Sequence, residues 1–363
     1  MRLKEIIDRA LACDASDTGT AKAFLDAAKT TRYAIGKNQE TLTIQSLVGL
    51  DGIIDDYAAP GTCWHGIPLL HTDNANKNAY VVNCSTSIRP VDTLRHLQAS
   101  GFRHVVNLSD LVTAAGGALA QPEFVTLQRN EMEGHLDVWQ TIHDALEDDV
   151  SRKTLIDVLL FRLTADIAHV QDYSVRIHEQ YFEEFMGYGN EIFVDAGGFD
   201  GDTAEEFAKR YPDYRKILLF EPSAHNMALA RRRLSGVRDI TFFPFGLSNV
   251  AGRLRFNQQG GSASSVSDSG DDEIVVDALD SMVAEPVSVI KMDLEGWELP
   301  ALEGCHRHIA EDRPKLAIAA YHKASDLRRI YQFVDAFGHD YRMFLRHYTQ
   351  GWSETVLFFV PKD

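Results

Sequence analysis

The stretch from Glu191 to Phe207, EIFVDAGGFDGDTAEEF, constrains the fold more than any other part of the chain. An apolar strand runs into an acidic residue, a glycine-rich turn and a helix start. Ile192, Phe193 and Val194 read as a parallel strand buried on both faces. Gly197, Gly198 and Gly201 permit positive φ and close backbone approach, and Thr203 with Glu206 has the spacing of a capping box. Ala204, Phe207, Ala208 and Tyr211 then supply the i, i+3, i+4, i+7 face of the following helix. A strand, turn and helix in this order predict an α/β sheet whose ligand lies beyond the carboxyl ends of its strands.

Asp195 separates the candidate ligands. A carboxylate at the lip of the turn repels the pyrophosphate of NAD or ATP but suits a ligand carrying an ammonium and a sulfonium. A second buried strand, KILLFEPS, ends in Glu221, 26 positions after Asp195 (221 minus 195). That spacing fits an acidic residue accepting hydrogen bonds from ribose hydroxyls. The two acids and the turn together predict S-adenosylmethionine, and an NAD-linked dehydrogenase is expected to fail at Asp195.

The downstream sequence continues this pattern. FVDAGGFDGDT, LLFEPSAHN, FGLSN and IKMDLEGWEL stand in the order of the cofactor motifs and strand-end Asp signature of the FkbM-type family of S-adenosylmethionine-dependent methyltransferases, which the chain resembles from about residue 188 to its end. The resemblance implies a Rossmann-like class I methyltransferase sheet of seven strands with the last antiparallel, and O-methylation of an acceptor hydroxyl, often on a sugar. It implies donor contacts at Asp195, Ala196, Gly197, Gly198, Asp200, Gly201 and Thr203 from the first motif, and at Glu221, Pro222 and Ser223 from the second. Gly246 and Leu247 from the third motif and Asp293 from the fourth complete the set. Trp297 stands where a small residue is commoner, and a long region precedes the domain; both leave the acceptor open.

The strands of this half read as IFVDAGG, KILLFEP, ITFFPFG, VSVIKMD, PKLAIAAY, YRMFLRHY and ETVLFFV, with a hairpin-like insert from GRLRF to EIVV. The loop TQGWS before the final strand is too short for a crossover, so that strand is expected to run antiparallel. Asp195, Glu221, Gly246, Asp293 and His322 fall at or just after strand ends and should converge. In-line displacement of a methyl group from a sulfonium by an alcohol calls for positioning and a general base. Asp293 is the first choice for that base, its alternative role being to order the DLEG turn or cap the next helix. His322 is the other choice, its alternative a satisfied core histidine. Lys291, two positions before Asp293 on the same strand face, is expected to pair with it, lowering its pKa and tilting the assignment toward His322. Glu295 could orient the acceptor or, with Asp293, hold a magnesium ion. No third oxygen ligand is identifiable, so a metal-free mechanism is preferred.

With 363 residues, 45% of them hydrophobic, the chain is long enough for two domains. Residues 1–120 read as two short helices and a small Rossmann-like α/β unit, 121–187 as a helical connector running from about Leu136 to Met186, and 188–363 as the methyltransferase domain. The turn IGKNQE in the first unit has one glycine where a phosphate loop would want several, which favours a degenerate docking or structural domain over a nucleotide site. A homo-oligomer or polysaccharide-assembly partner is expected to dock there. The net charge of -17 opposes nucleic acid and anionic membrane surfaces, leaving a small-molecule or glycan acceptor as the expected substrate. Four scattered cysteines without a CxxC pair suggest neither zinc nor a disulfide framework, and the absence of a signal-type core points to the cytoplasm. The serine-rich GGSASSVSDSGDD, with Asp271 and Asp272, reads as a flap, and the Arg231–Arg233 run as a solvated helix face. A catalytically silent cofactor-binding scaffold in a polysaccharide-assembly complex is the alternative to an enzyme.

Overall fold

The computed structural model describes residues 2–12, 18–26, 30–257, 265–266 and 272–362. Of the serine-rich segment read as a flap, only the backbone of Ser265–Val266 and Asp272 is described; Asp271, Cys13 and the Asp272 side chain lie outside the described residues. The chain forms two compact units, each assembled from separate segments.

One unit contains Met1–His143, Lys153–Ile177 and His347–Ser353. Its six-stranded sheet uses β1 (Arg32–Ile35), β2 (Gly52–Ile54), β3 (Cys63–Trp64), β4 (Ile67–Leu70), β5 (Tyr80–Asn83) and β6 (His104–Asn107), in the order β3-β4-β2-β1-β5-β6. All neighbours are parallel except β3 and β4. Both faces are covered, by Phe24, Ile44 and Leu111 on one side and Leu97 and Phe102 on the other, which is why the strands read as unbroken apolar runs. The β3–β4 hairpin was not anticipated from the sequence. Its turn places His65 and Gly66 at φ 47° and 80°, the two successive positive values that a tight two-residue connection needs.

The strand order diverges at β1, where a nucleotide would sit in such a sheet. Here the turn after β1 is tied to the loop after β5. Asn38 Nδ2 donates to the Cys84 carbonyl at 2.6 Å, and a Cβ on Gly36 would stand 3.0 Å from the Cys84 carbonyl carbon. A Cβ on Gly351 would collide with the Thr86 and Ser87 carbonyl oxygens of the same loop, so only glycine allows that approach.

Helical sequence follows the sheet, as Glu123–Ala145 and Asp149–Thr164. The first is kinked at His135, next to Gly134. From Ile167 to Met186 the backbone makes only 3-10 turns, so the continuous helical reading to Met186 is corrected.

The other unit contains Asp144–Arg152, His178–Arg346 and Glu354–Asp363. Its seven-stranded sheet is built from β7 (Ile192–Ala196), β8 (Lys216–Phe220) and β9 (Ile240–Phe243), and from four later strands named below. An insert forms a separate four-stranded sheet of β10 (Gly246–Leu247), β11 (Gly252–Asn257), β12 (Ser265–Val266) and β13 (Asp272–Asp277). The main sheet is completed by β14 (Val289–Met292), β15 (Lys315–Ala319), β16 (Tyr341–His347) and β17 (Thr355–Pro361). The order is β16-β17-β15-β14-β7-β8-β9, and β17 runs antiparallel to β15, as the short loop requires. This is the Rossmann-like sheet expected from the sequence. Phe193 of β7 stacks on Phe207 of the helix Asp202–Arg210, ring centroids 4.1 Å apart. Both rings are buried, a contribution of about 2–3 kcal/mol each from area alone.

The capping box is not formed. The helix begins at Asp202 with Gly201 as N-cap and no side-chain cap bond. Asp202 accepts from the Thr203 amide at 2.8 Å, and Glu206 pairs with Arg210 at 2.7 Å. Gly201 takes the cap position because its φ of 86° and its approach to Ala230 and Leu234 both exclude a side chain.

Candidate functional site

The turn between β7 and its helix is held by the strand beside it. The amides of Gly197 and Gly198 both donate to the Phe220 carbonyl at 3.0 Å, and the Phe199 amide donates to Glu221 Oε2 at 3.1 Å. A phosphate would need those N–H groups free. Gly197 has φ 76°, and a Cβ there would collide with the Asp293 carbonyl, so glycine lets the turn seat against the end of β14. Gly198 makes room for Leu219. Ala196 is buried at the strand end.

Glu221 lies one residue past β8. Its Oε1 accepts from the Ser223 amide at 2.8 Å, so each oxygen holds one backbone amide and keeps acceptor capacity for another donor. Burial raises its pKa against the pull of the Ser223 and Phe199 amides. Ser223 caps the helix Ala224–Arg233 by accepting from the Asn226 amide. Pro222 faces Gly246, which lies at the edge of the insert sheet beside Val276, while Leu247 is core.

Three residues expected at the donor point elsewhere. Asp195 is fully buried and its Oδ1 lies 3.0 Å from Lys291 Nζ, itself buried. The pairing follows from register, since Lys291 of β14 is the direct partner of Asp195 on β7. The expected Lys291–Asp293 pair is therefore corrected, and so is the picture of Asp195 as an open carboxylate at the lip of the turn. Burial raises the Asp195 pKa against the pull of Lys291. It also works against the charged Lys291, but Asp195 and Asp293 outweigh it and hold that pKa up. Lys291 further donates to the Gly197 carbonyl at 2.8 Å, binding the turn to β14. Asp200 is committed to Arg233 at 2.5 Å, and the half-buried Thr203 turns its hydroxyl toward Asp202 Oδ1 at 3.5 Å. Arg233 is thus an ion-pair partner, and Arg231 covers the Phe242 ring at 4.7 Å.

Beyond β14 and β15 the acidic residues and His322 do come together. Asp293 Oδ2 accepts from the Tyr181 hydroxyl at 2.8 Å, and its Oδ1 is 3.6 Å from His322 Nε2. Glu295 Oε2 is 3.3 Å from the same nitrogen, and Glu298 Oε1 is 3.1 Å from His322 Nδ1. These are ion-pair approaches, since neither ring nitrogen has a hydrogen-bond partner of good geometry. The DLEG turn is ordered by Glu298, whose Oε1 accepts from the amides of Leu294 and Gly296 at 2.8 and 3.2 Å. Asp293 is thereby released from the turn-ordering role.

Burial disfavours the imidazolium, but Glu295, Glu298 and Asp293 outweigh it and hold the His322 pKa well above its ordinary value. In the cation-free site this favours the charged ring, which weighs against His322 as the base. Burial raises Glu295 despite His322, whereas for Glu298 the His322 contact and the Leu294 amide overcome burial and lower it.

Sequence reasoning missed Glu354, Tyr181, Gln180, Tyr321 and Glu298. Glu354 precedes β17, and because β17 is antiparallel its start lies alongside the carboxyl end of β15, with the Ala320 amide donating to the Thr355 carbonyl at 2.9 Å. An antiparallel last strand was the signal that could have pointed to it. Gln180 Nε2 donates to Glu354 Oε2 and to the Tyr181 hydroxyl, both at 3.0 Å. Burial, then the charge of Asp293, pushes the Glu354 carboxyl up to about 7 against the Gln180 bond. Tyr181, Glu295 and Glu354 have φ of 74°, 53° and 63°, so left-handed strain collects where the polar groups do. Three carboxylates and a histidine could hold a cation here; Asp293, Glu298 and His322 offer donor atoms all within 4.8 Å of one another.

Residues 195–349 match the family model described as Methyltransferase FkbM domain. Among similar solved structures, methyltransferase FkbM from Methylobacillus flagellatus KT is 22% identical with a TM-score of 0.75, the match covering 98% of each chain, a likeness of fold. Fibrillarin from Aeropyrum pernix, solved with natively bound S-adenosyl-L-methionine, is 12% identical over 48% of this chain and 68% of its own, with a TM-score of 0.32. The ribosomal protein L11 methylase from Lactobacillus delbrueckii subsp. bulgaricus is 14% identical over 50% of this chain and 74% of its own, with a TM-score of 0.33. No curated protein matches the chain. Among the described residues no helix is long and apolar enough to cross a membrane.

Proposed function

We propose, from the match of residues 195–349 to the family model described as Methyltransferase FkbM domain, that the chain moves a methyl group from S-adenosylmethionine to a hydroxyl of a sugar or polyol. The observation that carries the choice of donor is the state of the glycine turn. Its amides are spent on Phe220 and Glu221, which disfavours a pyrophosphate and with it an NAD-linked reaction, while Glu221 retains acceptor capacity for a ribose diol. This argument replaces the one based on Asp195, whose charge is matched by Lys291.

S-adenosylmethionine supplies an electrophilic methyl group that an attacking oxygen takes as the sulfonium leaves as a neutral thioether. The residues' part is to hold the acceptor hydroxyl in line and to remove its proton. Asp293, with the Tyr181 hydroxyl fixing one of its oxygens, orients the acceptor. Glu354 takes the proton, because a carboxyl at about 7 is both unprotonated often enough and basic enough at neutral pH. Carboxylates and phenol hydroxyls side by side suit an acceptor rich in hydroxyl groups.

Calorimetry with S-adenosylmethionine tests the donor. Glu221→Gln should weaken binding about 10- to 100-fold, the range for a hydrogen bond to a charged acceptor; equal affinity in the variant removes the ribose assignment. A labelled methyl donor offered with sugar nucleotides and glycans tests turnover. Tight donor binding with no transfer to any of them favours the silent scaffold.

A further inference from the structure

The sequence offers two carboxylates on one turn and withholds a third ligand; folding brings His322 and Glu298 beside them. We propose that Asp293, Glu298 and His322 form a binding site for a divalent cation, with Glu295 as an additional carboxylate at its rim. The donor atoms of the first three lie within 4.8 Å of one another. Around an ion with bonds of about 2.1 Å, adjacent donors stand roughly 3 Å apart and opposite ones about 4 Å. From His322 Nε2 the separations of 3.3 Å to Glu295 and 3.6 Å to Asp293 are those of neighbouring ligands before a contraction of a few tenths of an ångström, while Glu298 Oε1 lies 3.1 Å from the other ring nitrogen, Nδ1.

An independent feature points to something missing. Glu298 is 1% exposed, its Oε1 is anchored by two backbone amides, and its Oε2 has no hydrogen-bond partner among the described residues. A buried carboxylate oxygen left without a donor is costly, and an ion is one of the few partners that would relieve it. Both His322 nitrogens lack a well-directed hydrogen bond although carboxylates surround the ring. Lys323, the nearest other cation along the chain, gives its Nζ to the Gly296 carbonyl. Two carboxylates with one imidazole form a hard donor set that admits Mn²⁺ or Mg²⁺ and has no thiolate to favour softer metals.

The test uses Mn²⁺ alone, without methyl donor, on the full chain freed of metal by chelation and held at pH 8. Electron paramagnetic resonance should show one Mn²⁺ bound per chain. Asp293→Asn and His322→Gln should each weaken that binding at least ~10-fold. Glu311→Gln, an exposed acid elsewhere, should leave it intact. If Glu298→Gln fails to fold, these two variants still carry the test, with circular dichroism as the control. No bound ion in the wild-type chain, or an affinity that both variants leave unchanged, overturns the proposal. The result is separable from the methyl-transfer reading, because a chain that binds Mn²⁺ and transfers nothing removes that reading and keeps this site.

Discussion

Lys291 Nζ stands 3.0 Å from Asp195 Oδ1, both side chains buried, and it is this pair that joins the first and fourth motifs of the domain. Two charges out of water are tolerated because each compensates the other, so removing one leaves the other exposed to the full desolvation cost. Lys291→Met should cost about 3–5 kcal/mol, seen as a fall in the unfolding midpoint. Asp195→Leu combined with Lys291→Met should recover most of that loss. A double variant as unstable as the single one would show that Lys291 acts mainly through its bonds to the Gly197 and Ala196 carbonyls.

Gly197→Ala is expected to be far worse than its size suggests. Its φ of 76° is strained for any side chain, and the added Cβ would strike the Asp293 carbonyl. We expect more than about 2 kcal/mol of destabilisation and loss of donor binding. Gly236→Ala, where a Cβ meets nothing within 4 Å, should be neutral or stabilise by up to about 1 kcal/mol. Equal melting temperatures for the two variants would remove the close-approach argument.

The strands of the seven-stranded sheet were legible because buried parallel strands are uninterrupted apolar runs, as Ile217–Phe220 and Val289–Met292 are, whereas the β3–β4 hairpin of the other sheet was not. Partners across strands were not legible. Spacing along the chain put Lys291 with Asp293, but register between β14 and β7 put it with Asp195, and register is set by the whole sheet. Thr203 and Glu206 had the letters of a capping box, yet the packing of Gly201 on Ala230 and Leu234 fixed the helix start one residue before Thr203. Asp293, Glu295 and His322 were found because each follows a parallel strand. Glu354 was missed because it precedes an antiparallel one, and Tyr181 because it sits outside every regular element.

Glu354 gives the reaction its expected pH dependence. Its carboxyl is raised to about 7 by burial and by Asp293, and a base must be unprotonated to act. Transfer from labelled donor should therefore rise with pH along a limb centred near 7. Glu354→Gln should slow it roughly 10²-fold and abolish the limb. The same raised value means that folding favours the protonated form, so this group's contribution to stability is present below about 4.5 and lost as pH rises through about 7. Survival of the limb in the variant would move the base elsewhere.

His347 sets an acid limit on the other unit. The ring is 1% exposed, and burial, then the charges of Arg162 and Arg176, lower its pKa to about 3. The folded state therefore keeps the neutral imidazole while the unfolded chain takes up a proton below about 6.5. The sign follows: stability is full above about 6.5 and is lost progressively as pH falls toward about 3. Between pH 7 and 5 the loss from this one group should be about 2 kcal/mol. Urea unfolding of the wild-type chain and of His347→Gln across that range checks it, the variant losing less stability on acidification. If wild type and variant show the same slope, the acid sensitivity of this unit originates in groups other than His347.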